Sequence, residues 1–249
     1  MSLAIVEQPS PNHGPRPPGA PIDILLLHYT GMPSTEEALR RLADPAAEVS
    51  AHYLIDEGGR CYRLVPEARR AWHAGDSFWH GARDVNGRSI GIELANPGHE
   101  FGYRDFTGAQ MATLEALARA ILARHPIPPH RVLGHSDVAP QRKRDPGERF
   151  DWKRLARAGI GLWPKERVEV STHAPELSPG AAGPAVINLQ LALSGFGYGL
   201  EGTGLYDPTT EAAVAAFQRH FRQRRVDGVA DPETQSLLHH LLARIPPPA

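Results

Sequence analysis

Ile22-Asp23-Ile24-Leu25-Leu26-Leu27-His28 sets four consecutive aliphatic side chains just before an imidazole. A run with no polar alternation reads as a strand covered on both faces, the pattern of α/β proteins. Working outward, Ser34 to Glu37 offers a capping box that opens a helix through about Leu42. His52 to Asp56 and Arg60 to Val65 flank Glu57-Gly58-Gly59 and predict a β-hairpin. Ser89 to Ala95 alternates, with Ile90, Ile92 and Leu94 on one face and Gly91, Glu93 and Ala95 on the other. Glu93 therefore points away from the apolar set. Thr107 to Arg124 carries Met111, Leu114, Leu117, Ile121 and Leu122 as one helical stripe. His130 to Gly134 is a short strand, followed by a Pro- and Arg-rich loop to Gly147. These elements define an α/β domain over residues 21–160, behind a proline-rich extended arm over 1–20.

Composition changes beyond Gly159. Residues 161–183 are rich in proline and glycine and read as a linker. Ala185 to Ser194 is an amphipathic helix, and Asp207-Pro208 and Asp231-Pro232 each place an N-cap acceptor before proline at the first helical position. A small all-α three-helix domain over 184–245 follows. The 249 residues carry 27 basic and 28 acidic side chains, so the basic excess of a nucleic-acid binder is missing. Cys61 stands alone, which excludes an internal disulfide and a cysteine-rich zinc framework. No apolar run approaches the roughly 20 residues of a membrane span. The first 20 residues show no basic and apolar secretory signal, so the expected location is the cytoplasm, with the periplasm or cell envelope as the alternative.

Two histidines stand out by position. His28 ends one strand and His135 follows another, and side chains emerging there sit at the rim of a sheet, a favoured place for sites. Asp145 lies ten residues after His135, beside Pro146. Two imidazoles and a carboxylate make a three-ligand zinc set with a free fourth place, the catalytic pattern. Spacing alone leaves two readings open: a metal centre, or ordinary loops with a solvated aspartate.

Leu27-His28-Tyr29-Thr30, Ala71-Trp72-His73-Ala74-Gly75, Asn86 to Leu94, and Gly134 to Pro140 with Lys143 to Gly147, taken in order, resemble the zinc-dependent N-acetylmuramoyl-L-alanine amidases of the type 2 family. The resemblance spans about residues 22–157. It implies a mixed β-sheet flanked by helices, Zn2+ held by His28, His135 and Asp145, Glu93 as catalytic acid and base, and Lys143 as stabiliser of the transition state. It also implies that Trp72 and His73 line the substrate cleft, although core packing is open for Trp72 and a solvated basic run for Lys143. Arg88, Arg142 or Arg144 would pair with stem-peptide carboxylates. Val186 to Leu193, Gly197-Tyr198, Asp207 to Gln218 and Val226 to Val229 resemble a three-helix peptidoglycan-binding domain, which implies anchoring on peptidoglycan through the linker. The expected partner is thus a peptidoglycan or muropeptide substrate, and the expected reaction is amide hydrolysis between N-acetylmuramic acid and L-alanine. A non-catalytic peptidoglycan-recognition protein, and a zinc peptidase cutting within the stem, are the competing readings.

Overall fold

The computed structural model describes residues 3–164, 168–172 and 174–246. In chain order the N-terminal part holds β1 (Ile5–Glu7), β2 (His13–Pro15), β3 (Ile24–Tyr29), α1 (Thr35–Ala43), β4 (Tyr53–Ile55), β5 (Cys61–Arg63), β6 (Arg69–Ala71), α2 (Val85–Arg88), β7 (Ser89–Leu94), α3 (Gly98–Phe101), α4 (Gly108–Arg124), β8 (Val132–Gly134), α5 (His135–Val138) and α6 (Trp152–Arg157). The C-terminal part holds α7 (Pro184–Phe196), α8 (Pro208–Phe221) and α9 (Pro232–Leu242).

Six strands pair in the order β1-β5-β4-β7-β3-β8. β3, β4, β7 and β8 are parallel where they pair, and β5 runs antiparallel to β4, so the sheet is mixed. Leu25 and Leu27 of β3 and Ile90, Ile92 and Leu94 of β7 pack with Met111, Leu114, Leu117 and Ile121 of α4. Helix α4 starts as its sequence dictates: Thr107 accepts from the Gln110 N–H and the Gln110 side chain returns the bond. The opposite face is shared. Leu54 meets Ala38 and Leu42 of α1, while Ile24, Leu26 and Leu133 join a cluster with Val186, Leu193, Phe196 and Phe217.

That last cluster joins the two halves of the chain. The C-terminal helices complete the apolar cover of the sheet, and each fully buried Leu, Ile or Phe contributes roughly 1.5–3 kcal/mol. Inside the C-terminal domain one device occurs twice. Asp207 caps α8 through Thr210, Asp231 caps α9 through Thr234, and Gln190 and Gln218 donate to those threonine hydroxyls at 2.9 and 3.3 Å.

The N-terminal arm, described from residue 3, lies on the domain. β1 adds in parallel to β5, and β2 pairs antiparallel with β6 as a second, two-stranded sheet. Arg16 donates to the carbonyls of Glu67, Gly87 and Ser89 at 2.9 Å each, which stitches the arm across three segments. The loop expected after β8 opens with the helical turn α5.

Candidate metal centre and cleft

His28 lies one residue from the end of β3, and its register partner on β7 is Glu93. Parallel partners share a face, so the two side chains emerge side by side at the carboxyl end of the sheet. His135 opens α5 where β8 ends, and Asp145 returns on the following loop. Three atoms converge: His28 Nδ1 stands 3.0 Å from His135 Nδ1 and 3.0 Å from Asp145 Oδ2, and His135 Nδ1 stands 3.1 Å from Asp145 Oδ2. A tetrahedral ion with bonds of about 2.0–2.1 Å spaces its donors by about 3.3 Å, so the set fits a small divalent metal. Among the described residues this is the cluster able to hold one.

The far ring nitrogens are committed elsewhere, which fixes the tautomers. His135 Nε2–H donates to the Ala74 carbonyl at 3.0 Å, leaving a lone pair on Nδ1. His28 Nε2 meets His73 Nδ1 at 3.1 Å, His73 Nε2 meets Ser89 Oγ at 3.3 Å, and the Ser89 hydroxyl donates to the Val85 carbonyl at 2.7 Å. A single proton order satisfies this chain: Nε2–H of each imidazole donates onward, so His28 also presents an unprotonated Nδ1. Asn86 Oδ1 accepts the His73 and Ala74 N–H groups at 3.0 and 2.8 Å and so holds both second partners in place.

Electrostatics follow from this packing. Burial opposes charge on Asp145, but His135 and His28 outweigh it and hold the carboxyl far below the ordinary range. Burial, then the neighbouring His135, drives the His28 imidazole down to about 4, so it stays neutral and able to ligate at physiological pH. Glu93 shows the opposite. Burial and then the Asp145 charge push its carboxyl well above the usual value, with Lys143 a partial offset. Its Oε2 is buried without a hydrogen-bond partner among the described residues.

These groups form the floor of a cleft of about 660 Å³ whose walls include Trp72, Arg41, His99, Glu100, Arg142, Lys143 and Arg144. His73 reaches the cleft, yet both ring nitrogens are bonded to His28 and Ser89, so its position is behind a ligand rather than facing substrate. Trp72 sits on the wall, its backbone N–H donating to Ser50 Oγ at 2.9 Å. Arg88 is a correction. It precedes β7, five strand positions or roughly 16 Å from Glu93, and forks onto Asp23 at the opposite end of the sheet. Paired with Asp23, Arg88 does not line the cleft where pairing with substrate was expected. Arg142 is likewise occupied by the carbonyls of Ala74 and Asp76. Arg144 and Arg41 have no acidic partner among the described residues. The Tyr29 hydroxyl meets His99 Nδ1 at 2.9 Å, and His99 Nε2 meets the Glu148 carboxylate at 3.2 Å, forming a polar wall that sequence reading missed. Its signal was Tyr29 itself, next to a ligand at a strand end.

Residues 18–148 match the N-acetylmuramoyl-L-alanine amidase family, and residues 182–238 match a peptidoglycan binding domain. The chain is 37% identical over 235 residues to the N-acetylmuramoyl-L-alanine amidase AmiD of Escherichia coli, covering 90% of this chain and 83% of that protein. It is 35% identical over 163 residues to the 1,6-anhydro-N-acetylmuramyl-L-alanine amidase AmpD of Haemophilus influenzae, covering 58% and 86% respectively. The solved complex of Escherichia coli AmiD with anhydro-N-acetylmuramic acid-L-Ala-D-gamma-Glu-L-Lys superposes with a TM-score of 0.78 at 36% identity, over 92% of each chain. Pseudomonas aeruginosa AmpDh3 in complex with an anhydromuramic pentapeptide gives a TM-score of 0.74 at 32% identity, over 90% of this chain and 92% of that one. On the family match over residues 18–148 and the identity and coverage shared with these relatives, the chain belongs to the N-acetylmuramoyl-L-alanine amidase family.

Proposed function

We propose that this amidase uses zinc, held by His28, His135 and Asp145, and that its substrates include anhydromuropeptides, cut between the muramic acid and L-alanine. The observation that carries the reading is the convergence of two Nδ1 atoms and one Oδ2 within 3.0–3.1 Å, on the floor of a cleft that Glu93 shares. Two neutral imidazoles and one carboxylate suit zinc, whereas magnesium and calcium favour all-oxygen sets. When bound, zinc supplies Lewis acidity to the scissile carbonyl and to the attacking water.

Glu93 performs the proton work. Burial and the Asp145 charge raise its carboxyl, so it holds a proton more readily than an exposed glutamate, and its buried Oε2 has no competing donor among the described residues. It takes a proton from water as the new carbon–oxygen bond forms, then delivers that proton to the leaving nitrogen as the carbon–nitrogen bond breaks. Lys143, on the cleft wall, places a positive charge beside the oxygen that becomes negative in between. Arg144 and Arg41 supply charge for the free carboxylates of a stem peptide, and Trp72 offers an indole face to sugar or peptide.

Metal quantification on the purified chain and mass spectrometry of products from an anhydromuropeptide, with and without a chelator, test the reading. The expected result is about one zinc per chain and a chelator-sensitive release of a peptide beginning with L-alanine. Cleavage inside the stem, or turnover indifferent to chelation, would refute it.

A further inference from the structure

His135 opens α5 directly at the end of β8, and the Ser136 N–H donates to the Asp145 carbonyl at 2.9 Å. One short turn of backbone therefore carries one ligand and pins the loop that carries another. Asp137 anchors that turn. Its side chain is buried, and Oδ2 accepts the Gly134 N–H at 2.8 Å. Two further donors arrive from the C-terminal domain: the Tyr198 hydroxyl to Oδ1 at 2.9 Å, and His220 Nδ1 to Oδ2 at 2.8 Å. A carboxylate out of water needs such donors, because losing one leaves a buried charge short of a partner.

Both donors are themselves held in place. The His220 ring stacks on Trp152 with centroids 3.7 Å apart, and its Nε2 is buried without a partner among the described residues, so Nδ1 facing Asp137 is the ring's one hydrogen-bonded nitrogen among them. Tyr198 stands edge-on to Trp79 at 5.1 Å, and a Cβ on the preceding Gly197 would lie 2.5 Å from the same indole. The C-terminal domain is thus seated against the catalytic domain at the point where its two polar groups reach Asp137.

We propose that Tyr198 and His220 are positioning residues of the metal centre: by holding Asp137 they fix α5, and through α5 the spacing of the His135 and Asp145 ligand atoms. The inference rests on the reading of His28, His135 and Asp145 as a zinc site, and it makes the C-terminal domain a structural member of that site as well as an anchor. Outer partners of metal ligands typically govern affinity by 10–100-fold. Acting one bond further out, Tyr198 and His220 belong near the lower limit.

The test uses the full chain and four variants: Tyr198→Phe, His220→Leu, His220→Asn, and Leu238→Ala as a control in the α9 core away from Asp137. Two quantities are read, the zinc dissociation constant by competition with a chromophoric chelator, and the unfolding midpoint of the metal-free protein. Tyr198→Phe and His220→Leu are expected to weaken zinc about tenfold. His220→Asn, which keeps an N–H where Nδ1 stands, is expected to stay within about threefold of wild type. Leu238→Ala is expected to lower the midpoint and leave zinc affinity unchanged. Zinc binding within twofold of wild type in both Tyr198→Phe and His220→Leu would overturn the inference, as would equal weakening by Leu238→Ala. A wild-type chain that binds no zinc would instead defeat the underlying reading of the site.

Discussion

Gly91→Ala is the most informative single change, because one methyl group there tests how the first ligand is oriented. Gly91 lies in β7 two residues before Glu93, on the same face. A Cβ built on it would stand 2.6 Å from Nδ1, Cγ and Cε1 of His73, whereas ordinary contact begins at 3.4 Å. The ring must therefore withdraw by 3.4 − 2.6 = 0.8 Å. Its bond to His28 Nε2 is already 3.1 Å long, so that movement ends it. Overpacking of this kind costs about 1–3 kcal/mol of stability. Freeing the outer nitrogen of a ligating histidine weakens metal binding by about 10–100-fold. Thermal unfolding with and without zinc, and zinc competition, measure the two effects separately. A double-mutant cycle sharpens the test. In His73→Ala the clash has no target, so adding Gly91→Ala should cost little further zinc affinity, and the two changes should fall short of additivity by most of the Gly91→Ala effect. Wild-type zinc affinity in Gly91→Ala, or full additivity in the pair, would refute the argument that His73 orients His28.

Glu93→Gln keeps the shape of the side chain and removes the base; kcat on a muropeptide should fall by about 10²–10⁴-fold with bound zinc unchanged, and retention of full turnover would remove Glu93 from the mechanism. Arg144→Ala should raise KM for a stem peptide with free carboxylates by about tenfold and leave kcat within about twofold, since a charged hydrogen bond of about 1.5 kcal/mol is lost outside the reacting centre. Burial holds the His52 imidazole down at about 3, so the unfolded chain binds a proton there that the folded chain does not. Stability conferred by that difference is nearly complete above the unfolded value near 6.5 and declines as pH falls through it, by about 2 kcal/mol between pH 7 and pH 5. Urea unfolding at pH 7 and pH 5 should show this loss reduced in His52→Asn, whose carbonyl can still accept the Gly91 N–H; an unchanged pH slope would contradict the assignment.

The sheet was legible because its strands carry their own burial record. Ile24 to Leu27 could sit only in an interior strand, and the alternation from Ser89 to Ala95 placed Glu93 on the face opposite Ile92 correctly. Helix starts at Ser34, Thr107, Asp207 and Asp231 were readable because a cap is a local bond between near neighbours. Pairings between distant segments were not. Three residues, Ile5 to Glu7, leave no periodic trace, and only the ladder with β5 makes them a strand. Arg88 lies five residues from Glu93 in sequence, but in an extended strand that distance carries it to the other end of the sheet, onto Asp23. The convergence of His28, His135 and Asp145 came from motif order, since no local pattern reports that residues 117 apart meet. The seat of the C-terminal domain was invisible for a similar reason: Ile24, Leu26 and Trp79 would be buried by any cover, and sequence does not name the covering element.

The pairing of His28 with Glu93 across β3 and β7 has a consequence for how this reaction centre tolerates change. Strands slide past each other in whole residues, and a slip of one would turn the glutamate to the wrong side of the sheet. Alignment between Glu93 and His28 is therefore digital, either correct or lost, and backbone bonds rather than loop conformation guarantee it. Insertions in the surrounding loops can reshape what the cleft accepts without detuning the chemistry, whereas a single residue added within either strand would abolish it outright.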